Sequence, residues 1–287
     1  MVPDSTGNVL SPRTARRAAV LGSPIGHSLS PPLHRAAYRA LGLSGWTYER
    51  FAVGGFGEPS LPAFMAGLDE AWVGLSLTMP LKEAALRVAA RVSDEARLVQ
   101  SANTLIRHPD GWHAATTDSQ GLVTALRRSG FGRVEDALVL GSGATARSVL
   151  QALAVLGCRR VRVAVRGAIR PEAVTAAVAL GVALEVCAMG EVPLLAGQSG
   201  LVVSTLPGGT DPGWPPTAGD RLSRTVLLDV GYDPWPTPLA RWASAGGARV
   251  HSGLGMLVFQ AAEQVRLMTG RDAPEAAMAA AVGLASW

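Results

Sequence analysis

The chain has 287 residues, of which 48% are hydrophobic and 17% charged, and its formal net charge is +4. This composition excludes a disordered chain, and the length suits one large domain or two ordinary ones. No apolar stretch reaches about 18 residues without a break or a charge, and the N-terminus has no signal-peptide pattern, so we expect neither a membrane span nor secretion. Cys158 and Cys187 lie in apolar surroundings. They predict buried thiols in a reducing cytoplasm rather than a disulfide or a metal site.

Strand-like and amphipathic segments alternate from about residue 18 to residue 203. This alternation predicts an α/β fold with a mostly parallel sheet and helices on its faces. The strand-like runs are 18–22, 72–78, 137–141, 161–165, 182–186, 201–205, 225–230 and 248–252. The main predicted helices are 31–41, 81–91, 121–129 and 144–156, and glycines that favour a left-handed helix end follow several of these segments, at Gly42, Gly130, Gly157 and Gly181.

The first polar motif is SPIGHSLSPPLH, at residues 23–34. Ser28 and Ser30 are two residues apart, so in an extended segment both hydroxyls face the same side. Pro31 suits the first helical position, which predicts Ser30 as the N-cap of a helix. Two interpretations stay open: the serines only cap the helix, or they bind an anion such as a carboxylate at its N-terminus. His27 and His34 are expected to be packing or surface residues.

The segment GLSLTMPLKEAAL repeats this layout, with Pro80 predicted to open a helix. Lys82 would then lie in the first helical turn, where the macrodipole disfavours a cation. We therefore predict that the pKa of Lys82 is lowered toward a value useful for proton transfer. The alternative is a lysine that extends into solvent or pairs with a nearby acid.

A β-hairpin is predicted in SANTLIRHPDGWHAATTD, because a Pro-Asp-Gly turn separates two strand-like runs. Pairing Arg107 with Trp112 puts Asn103 opposite Thr116, with Asp118 just beyond. The hairpin therefore brings Asn103 and Asp118 to the same end of the ribbon.

A glycine loop follows in ALVLGSGATA, between a predicted strand and a predicted helix. Gly141 suits the tight turn, Gly143 lets the backbone approach a pyrophosphate, and Ala146 permits close packing of helix on strand. No acidic residue stands between Asp136 and Glu172, so the usual partner of an NAD ribose is missing. The next strand ends instead in arginine, and two guanidiniums there favour the 2′-phosphate of NADP over a merely solvated basic edge. These arginines are Arg166 and Arg170.

Seven motifs in order resemble the shikimate dehydrogenase (shikimate 5-dehydrogenase) family over about residues 18 to 270. They are SPIGHSLSPPLH, SLTMPLK, SANT, TTD, GSGATAR, DVGYDPWPTPL and GLGMLVFQA. The wording of SLTMP and YDPWPTPL is similar to the actinobacterial branch. With the boundary that we place after the hairpin, the resemblance implies two domains. Residues 1–118 plus 255–287 would form the α/β substrate domain and 119–254 the Rossmann-type NADP-binding domain.

The resemblance implies the reversible NADPH-dependent reduction of 3-dehydroshikimate to shikimate, a step toward chorismate and the aromatic amino acids. Lys82 and Asp118 match the catalytic pair of the family. The residues that match its substrate-binding positions are Ser28 and Ser30 for the carboxylate, assisted by Tyr232, and Thr78, Asn103 and Gln260 for the ring hydroxyls or the pocket wall. The cofactor positions would be Gly141, Ser142, Gly143, Ala144, Ala146, Arg166, Arg170 and Gly253, and no metal is implied.

The chain also departs from the family pattern. Ser76 stands where many members carry asparagine, and Thr116 and Ser119 flank Asp118 where asparagine and glycine are usual. Two further departures lie in the cofactor half. Val165 and Gly167 stand beside Arg166, and STLPGGT replaces a sequence with Asn-Ala-Thr-Pro. These changes predict the loss of two polar contacts to the adenosine phosphate. These departures leave open a quinate/shikimate-type paralogue with changed preferences, or a non-catalytic NADP-binding sensor.

We expect a cytoplasmic enzyme with a small-molecule substrate, as a monomer or homodimer. Because the arginines are spread over both halves of the chain and no recognition motif occurs, nucleic acid is not an expected partner.

Overall fold

The structure is a computed structural model that describes residues 15–217 and 219–284. Its first half contains a six-stranded sheet in the order β2-β1-β3-β5-β6-β4. The strands are β1 (Arg16–Gly22), β2 (Trp46–Ala52), β3 (Trp72–Leu77), β4 (Arg91–Val92), β5 (Thr104–His108) and β6 (Gly111–Ala115). The helices of this half are α1 (Ser30–Ala40), α2 (Leu61–Ala66), α3 (Ala85–Val88) and α4 (Asp94–Leu98). β5 runs antiparallel to its neighbours β3 and β6, whereas β1 is parallel to β2 and β3.

The second sheet is entirely parallel, in the order β12-β11-β10-β7-β8-β9. Its strands are β7 (Asp136–Leu140), β8 (Arg160–Val165), β9 (Ala183–Ala188), β10 (Leu201–Ser204), β11 (Val226–Asp229) and β12 (Arg249–Ser252). Counted from β7, this is the 3-2-1-4-5-6 order of the doubly wound dinucleotide-binding fold. The remaining helices are α5 (Asp118–Arg128), α6 (Ala144–Val155), α7 (Pro171–Leu180), α8 (Val192–Ala196), α9 (Pro238–Ala245), α10 (Leu254–Thr269) and α11 (Glu275–Ala281), with a short 3-10 helix at Met189–Glu191.

Helix α10 contributes to two of the four hydrophobic core clusters of the described residues, one in each half of the chain. Its Val258, Ala261 and Val265 belong to the core cluster with α1 and β1. Its Met256 and Phe259 belong instead to the cluster with α5 and α6. The division into domains at residues 118 and 255 stays a prediction, and the ends of its first unit, 1–14 and 285–287, lie outside the described residues.

All the runs predicted as strands are strands, and three of the four main predicted helices are confirmed within three residues at either end. The predicted helix 81–91 is wrong: turns occupy the segment up to residue 84, and α3 has only four residues. The carbonyl of Lys82 accepts the N–H of Ala102 at 2.9 Å, so the chain is tied to a neighbouring segment instead of continuing a helical ladder. The dipole argument for Lys82 therefore has no basis in the structure.

Ser30 as an N-cap is also wrong. Helix α1 begins at Ser30, one residue earlier than predicted, and its N-cap position is Leu29, without a side-chain cap. The Ser28 hydroxyl instead accepts the backbone N–H of Ser30, at 3.4 Å. None of the helices in the described part of the chain is long and apolar enough to cross a membrane.

Candidate active site

A cavity of about 540 Å³ is lined by residues from both halves of the chain. Its walls come from the loops after β1, β3 and β11, the end of the hairpin, the start of α5 and one face of α10. The structure brings together here all eight residues that were predicted for substrate binding and proton transfer: Ser28, Ser30, Thr78, Lys82, Asn103, Asp118, Tyr232 and Gln260.

Lys82 and Asp118 form an ion pair in this cavity. Lys82 Nζ lies 2.6 Å from Asp118 Oδ2, and the two side chains are only 13% and 5% exposed. Lys82 Nζ is also 3.5 Å from Thr145 Oγ1, on the helix that follows the glycine loop. An ammonium held against a carboxylate at a cavity wall is a group that can exchange a proton with a bound ligand.

Asn103 holds the other oxygen of Asp118. Its Nδ2 donates to Asp118 Oδ1 at 2.8 Å and to Gln260 Oε1 at 3.1 Å. The backbone N–H of Thr117 donates to Asn103 Oδ1 at 2.8 Å, which fixes the orientation of the amide. The predicted hairpin register is confirmed, because Arg107 pairs with Trp112 and Thr104 with Ala115. The pairing of the two hairpin strands thus sets the position of Asp118.

Three residues with hydroxyl groups, Ser28, Ser30 and Tyr232, line the same cavity. Ser28 and Ser30 are both buried but line the cavity. Tyr232 comes from the loop after β11. Burial raises the pKa of its phenol, and a hydrogen bond with the backbone of Leu29 offsets part of this increase. Leu29 stands between the two serines, so Tyr232 lies directly on the segment that carries them. Neutral hydroxyl donors arranged in this way suit a carboxylate.

A second cavity of about 610 Å³ lies along the glycine loop. Gly141 has φ +99°, and a Cβ there would stand 2.7 Å from Thr205 Oγ1, so this turn requires glycine. Gly143 is the N-cap of α6, and a Cβ there would meet nothing within 4 Å, which leaves room for a ligand at the helix N-terminus. The cavity is also lined by Ser142, Ala144, Arg166 and Arg170.

Two predicted cofactor positions do not line this second cavity. Ala146 is 2% exposed and belongs to the core cluster, as its predicted role in helix–strand packing requires. Gly253 lines the first cavity instead, and a Cβ there would overlap the carbonyl of Val230. It is a point of close backbone approach beside the first cavity.

The two cavities share part of their walls. The shared residues are Thr78, Met79, Lys82, Thr145 and Pro207. Lys82 therefore stands where a ligand in the first cavity meets a ligand in the second. This is the arrangement that transfer between two bound molecules needs.

Sequence reasoning missed Arg147, which joins the two halves of the chain. Its side chain is fully buried, and its Nη2 lies 2.7 Å from Glu83 Oε1, next to Lys82. It also donates to the carbonyls of Val99 at 2.6 Å and Gln100 at 3.1 Å. Arg170 Nη1 is 4.0 Å from the same Glu83 oxygen. An arginine on the apolar face of the helix after a glycine loop was the available signal.

Gln264 was missed as well. It lies four residues after Gln260 on α10, lines the first cavity and is 1% exposed. The spacing of two glutamines on one helical face was the signal in the sequence. In the described residues, no group of three or more histidine, cysteine or acidic side chains could hold a metal ion.

Two family models match the chain: the shikimate dehydrogenase substrate binding domain over residues 20–105, and the shikimate 5′-dehydrogenase C-terminal domain over residues 253–282. The shikimate dehydrogenase (NADP(+)) of Thermosynechococcus vestitus is 36% identical over 272 residues, which make up 92% of this chain and 93% of that protein. This chain belongs to the shikimate dehydrogenase family. The family predicted from the motifs is thereby confirmed.

Solved structures of the family agree with the fold. The shikimate dehydrogenase of Mycobacterium tuberculosis is 44% identical and superposes with a TM-score of 0.81, covering 93% of this chain and 98% of that one. The Thermus thermophilus enzyme, solved in complex with NADP(H) and shikimate, is 32% identical with a TM-score of 0.77, over 93% and 98% of the two chains. The predicted two-domain α/β architecture is confirmed.

Proposed function

We propose that this chain catalyses the reversible reduction of 3-dehydroshikimate to shikimate with NADPH. The observation that carries the proposal is the Lys82–Asp118 pair, which lies in the wall between a hydroxyl-lined cavity and a glycine-loop cavity. The relatives named shikimate dehydrogenase (NADP(+)) support the substrate and the cofactor.

The second cavity fits NADP. Its glycine loop leaves space at the N-terminus of α6 for the pyrophosphate, and Arg166 and Arg170 stand at the edge where a 2′-phosphate would lie. Ser142 Oγ accepts the N–H of Arg170 at 3.2 Å, which braces the arginine loop against the glycine loop. When bound, the nicotinamide supplies or accepts the hydride.

Lys82 supplies the proton. When the C3 ketone is reduced, negative charge develops on its oxygen, and the ammonium of Lys82 donates a proton to that oxygen; in the reverse direction the amine accepts it. Asp118 holds Lys82 through Oδ2, and Asn103 holds Asp118 through Oδ1, so both groups are oriented before the substrate binds. Ser28, Ser30 and Tyr232 would bind the carboxylate.

The other polar residues of the cavity would position the ring. Thr78, Asn103 and Gln260 line the same cavity as the catalytic pair and present hydroxyl and amide groups to it. These groups suit the ring hydroxyls of shikimate, which both donate and accept hydrogen bonds.

The alternatives are not favoured. A non-catalytic NADP sensor has no need of a buried lysine–aspartate pair, and relatives that are 32–38% identical to this chain are named for shikimate rather than quinate. We also propose residues 119–254 as the NADP-binding domain and a cytoplasmic location. A monomer or a homodimer stays the expectation for the assembly.

The test is an activity assay with shikimate and quinate, each with NADP and NAD. Lys82 is the only lysine in the sequence, so Lys82→Ala should lower kcat at least about 100-fold with little change in KM, as expected for lost acid–base catalysis. Lys82→Arg is the matched control: it keeps the positive charge beside Asp118 but holds its proton too tightly to transfer it, so turnover should stay low.

Asp118→Asn should lower kcat too, and the double variant should lose less than the product of the two losses, because the pair acts as a unit. Normal turnover in Lys82→Ala would remove lysine from the mechanism.

A further inference from the structure

Behind the wall of the substrate cavity lies a buried chain of hydrogen bonds that the proposed mechanism does not use. Tyr48 Oη lies 2.7 Å from Ser76 Oγ, and Ser76 Oγ lies 2.7 Å from Gln264 Oε1. The three residues are 0%, 3% and 1% exposed, and both Ser76 and Gln264 line the cavity. The chemistry of these groups determines which of them donates and which accepts in each hydrogen bond.

The backbone fixes the amide of Gln264. Its Nε2 lies 3.2 Å from the carbonyl oxygen of Asn103 and 2.9 Å from Thr104 Oγ1. A carbonyl oxygen can only accept a hydrogen bond, so the nitrogen of the amide must face it. Oε1 of Gln264 therefore faces Ser76, and because Oε1 is also only an acceptor, the hydroxyl of Ser76 must donate its single proton to Gln264.

His34 approaches the same oxygen from α1. Its Nε2 lies 3.3 Å from Gln264 Oε1, and burial lowers the pKa of His34 to about 3, so the ring is neutral at pH 7. Since Oε1 only accepts, Nε2 carries the hydrogen of the neutral ring. With two donors at Oε1 and two acceptors at Nε2, the amide of Gln264 has no reason to rotate.

The proton of Tyr48 is fixed as a consequence. Because Ser76 has already given its proton to Gln264, Tyr48 must be the donor in the Tyr48–Ser76 bond. Burial raises the pKa of Tyr48, so the phenol keeps this proton. Ser76 Oγ then has one lone pair left and no proton left.

We propose that Gln264 is a positioning residue that makes Ser76 an acceptor-only group in the cavity wall, so that the site selects a substrate carrying a hydroxyl donor opposite Ser76. Given the proposed function, on which this inference rests, the partner is a ring hydroxyl of shikimate other than the one that is oxidised. A substituent at that ring position that can only accept hydrogen bonds would face the lone pair of Ser76 Oγ, and the site would reject it.

The test compares shikimate with analogues in which the hydroxyl at C4 or C5 is replaced by hydrogen or by fluorine, which cannot donate. At one of the two positions, the wild-type KM should rise roughly 2- to 12-fold with hydrogen, the loss of one hydrogen bond, and more with fluorine. In Ser76→Ala the penalty for the same hydrogen analogue should fall below about twofold, because the acceptor is gone.

Gln264→Leu should reverse the order in which the two analogues bind. The variant frees the hydroxyl proton of Ser76, which can then turn toward fluorine. The fluorine analogue should therefore bind better than the hydrogen analogue, whereas the wild type should bind the hydrogen analogue better. A purely structural defect would weaken both analogues alike. Gln151→Leu is the matched control, since Gln151 is also a buried glutamine, 6% exposed, but bonds Ser119 outside the cavity; it should keep the wild-type order.

The outcomes separate the two proposals. If the wild type does not turn over shikimate, the proposed function fails and takes the inference with it. If the wild type is active but Ser76→Ala leaves all analogue penalties unchanged, only the inference is overturned. If Gln264→Leu does not fold, the Ser76→Ala comparison and the fluorine-against-hydrogen order in the wild type decide by themselves.

Discussion

Arg147→Met should destabilise the protein more than any exchange of a surface arginine. The guanidinium of Arg147 is fully buried and donates to the carbonyls of Val99 and Gln100. Methionine keeps most of the apolar stem but leaves both carbonyls without this donor. Hydrogen bonds from a charged donor contribute about 1.5–3 kcal/mol each.

Two features of the site reduce this loss. Glu83 is 41% exposed, so its carboxylate returns to water when the arginine is removed. The guanidinium also no longer has to be buried, and its Nη1 has no partner in the described part of the chain. After this offset, we expect the free energy of unfolding to fall by about 2–4 kcal/mol, and the melting temperature by about 4–16 °C.

The assay is urea unfolding followed by tryptophan fluorescence, with a thermal melt alongside. Arg97→Met is the control, because its ion pair with Asp94 joins side chains that are 63% and 91% exposed and should contribute less than about 1 kcal/mol. A loss below about 1 kcal/mol in Arg147→Met would refute the argument that these buried bonds hold the two halves together.

Three further predictions concern the cofactor, the carboxylate and pH. Arg166→Ala should raise KM for NADP about 10- to 150-fold and leave KM for NAD nearly unchanged, whereas an equal loss with both cofactors would contradict the 2′-phosphate assignment. Ser28→Ala and Ser30→Ala should each raise KM for shikimate, and in thermal melts Ser28→Ala should lose about 0.5–1 kcal/mol, because the Ser28 hydroxyl accepts a backbone N–H at the helix start. Burial holds the pKa of His34 at about 3 in the folded state, so the unfolded chain binds the proton first and stability falls as the pH drops from about 6.5 toward 3. In urea titrations, His34→Phe should lower that slope by up to about 1.4 kcal/mol per pH unit, and an unchanged slope would show that His34 is not the group responsible.

The strands of the second sheet could be predicted from the sequence, whereas the edge strands of the first sheet could not. Apolar runs identified every strand of the parallel sheet, and the signal was strongest for β7, β10 and β11, because a strand buried on both faces is apolar almost throughout. The edge strand β2 was not predicted: in its sequence, WTYERFA, only Tyr48 is buried and two residues are charged. The helix predicted after Pro80 failed because a tertiary hydrogen bond, from Ala102 to Lys82, is invisible to local propensity.

The site was predicted to the extent that it depends on local pattern. The hairpin register was sufficient to put Asn103 near Asp118, because a tight turn fixes the pairing. The pairing of Lys82 with Asp118 required two segments that meet only in the folded chain. Gln264 and Arg147 were missed for a related reason: each acts through partners from distant parts of the chain, so the local pattern alone does not show what the side chain binds.

Two of the departures from the family pattern, at Ser76 and Ser119, are balanced by glutamines on facing helices. A serine hydroxyl in a buried position costs about 1–3 kcal/mol if it finds no partner. Ser76, where asparagine is common, donates to Gln264 on α10 at 2.7 Å. Ser119, where glycine is usual, lies 2.5 Å from the side-chain oxygen of Gln151 on α6. This second bond ties the first turn of α5, which begins at Asp118, to the helix of the glycine loop. The changed residue beside Asp118 thus adds a link between α5, whose first residue pairs with Lys82 at 2.6 Å, and the helix of the glycine loop.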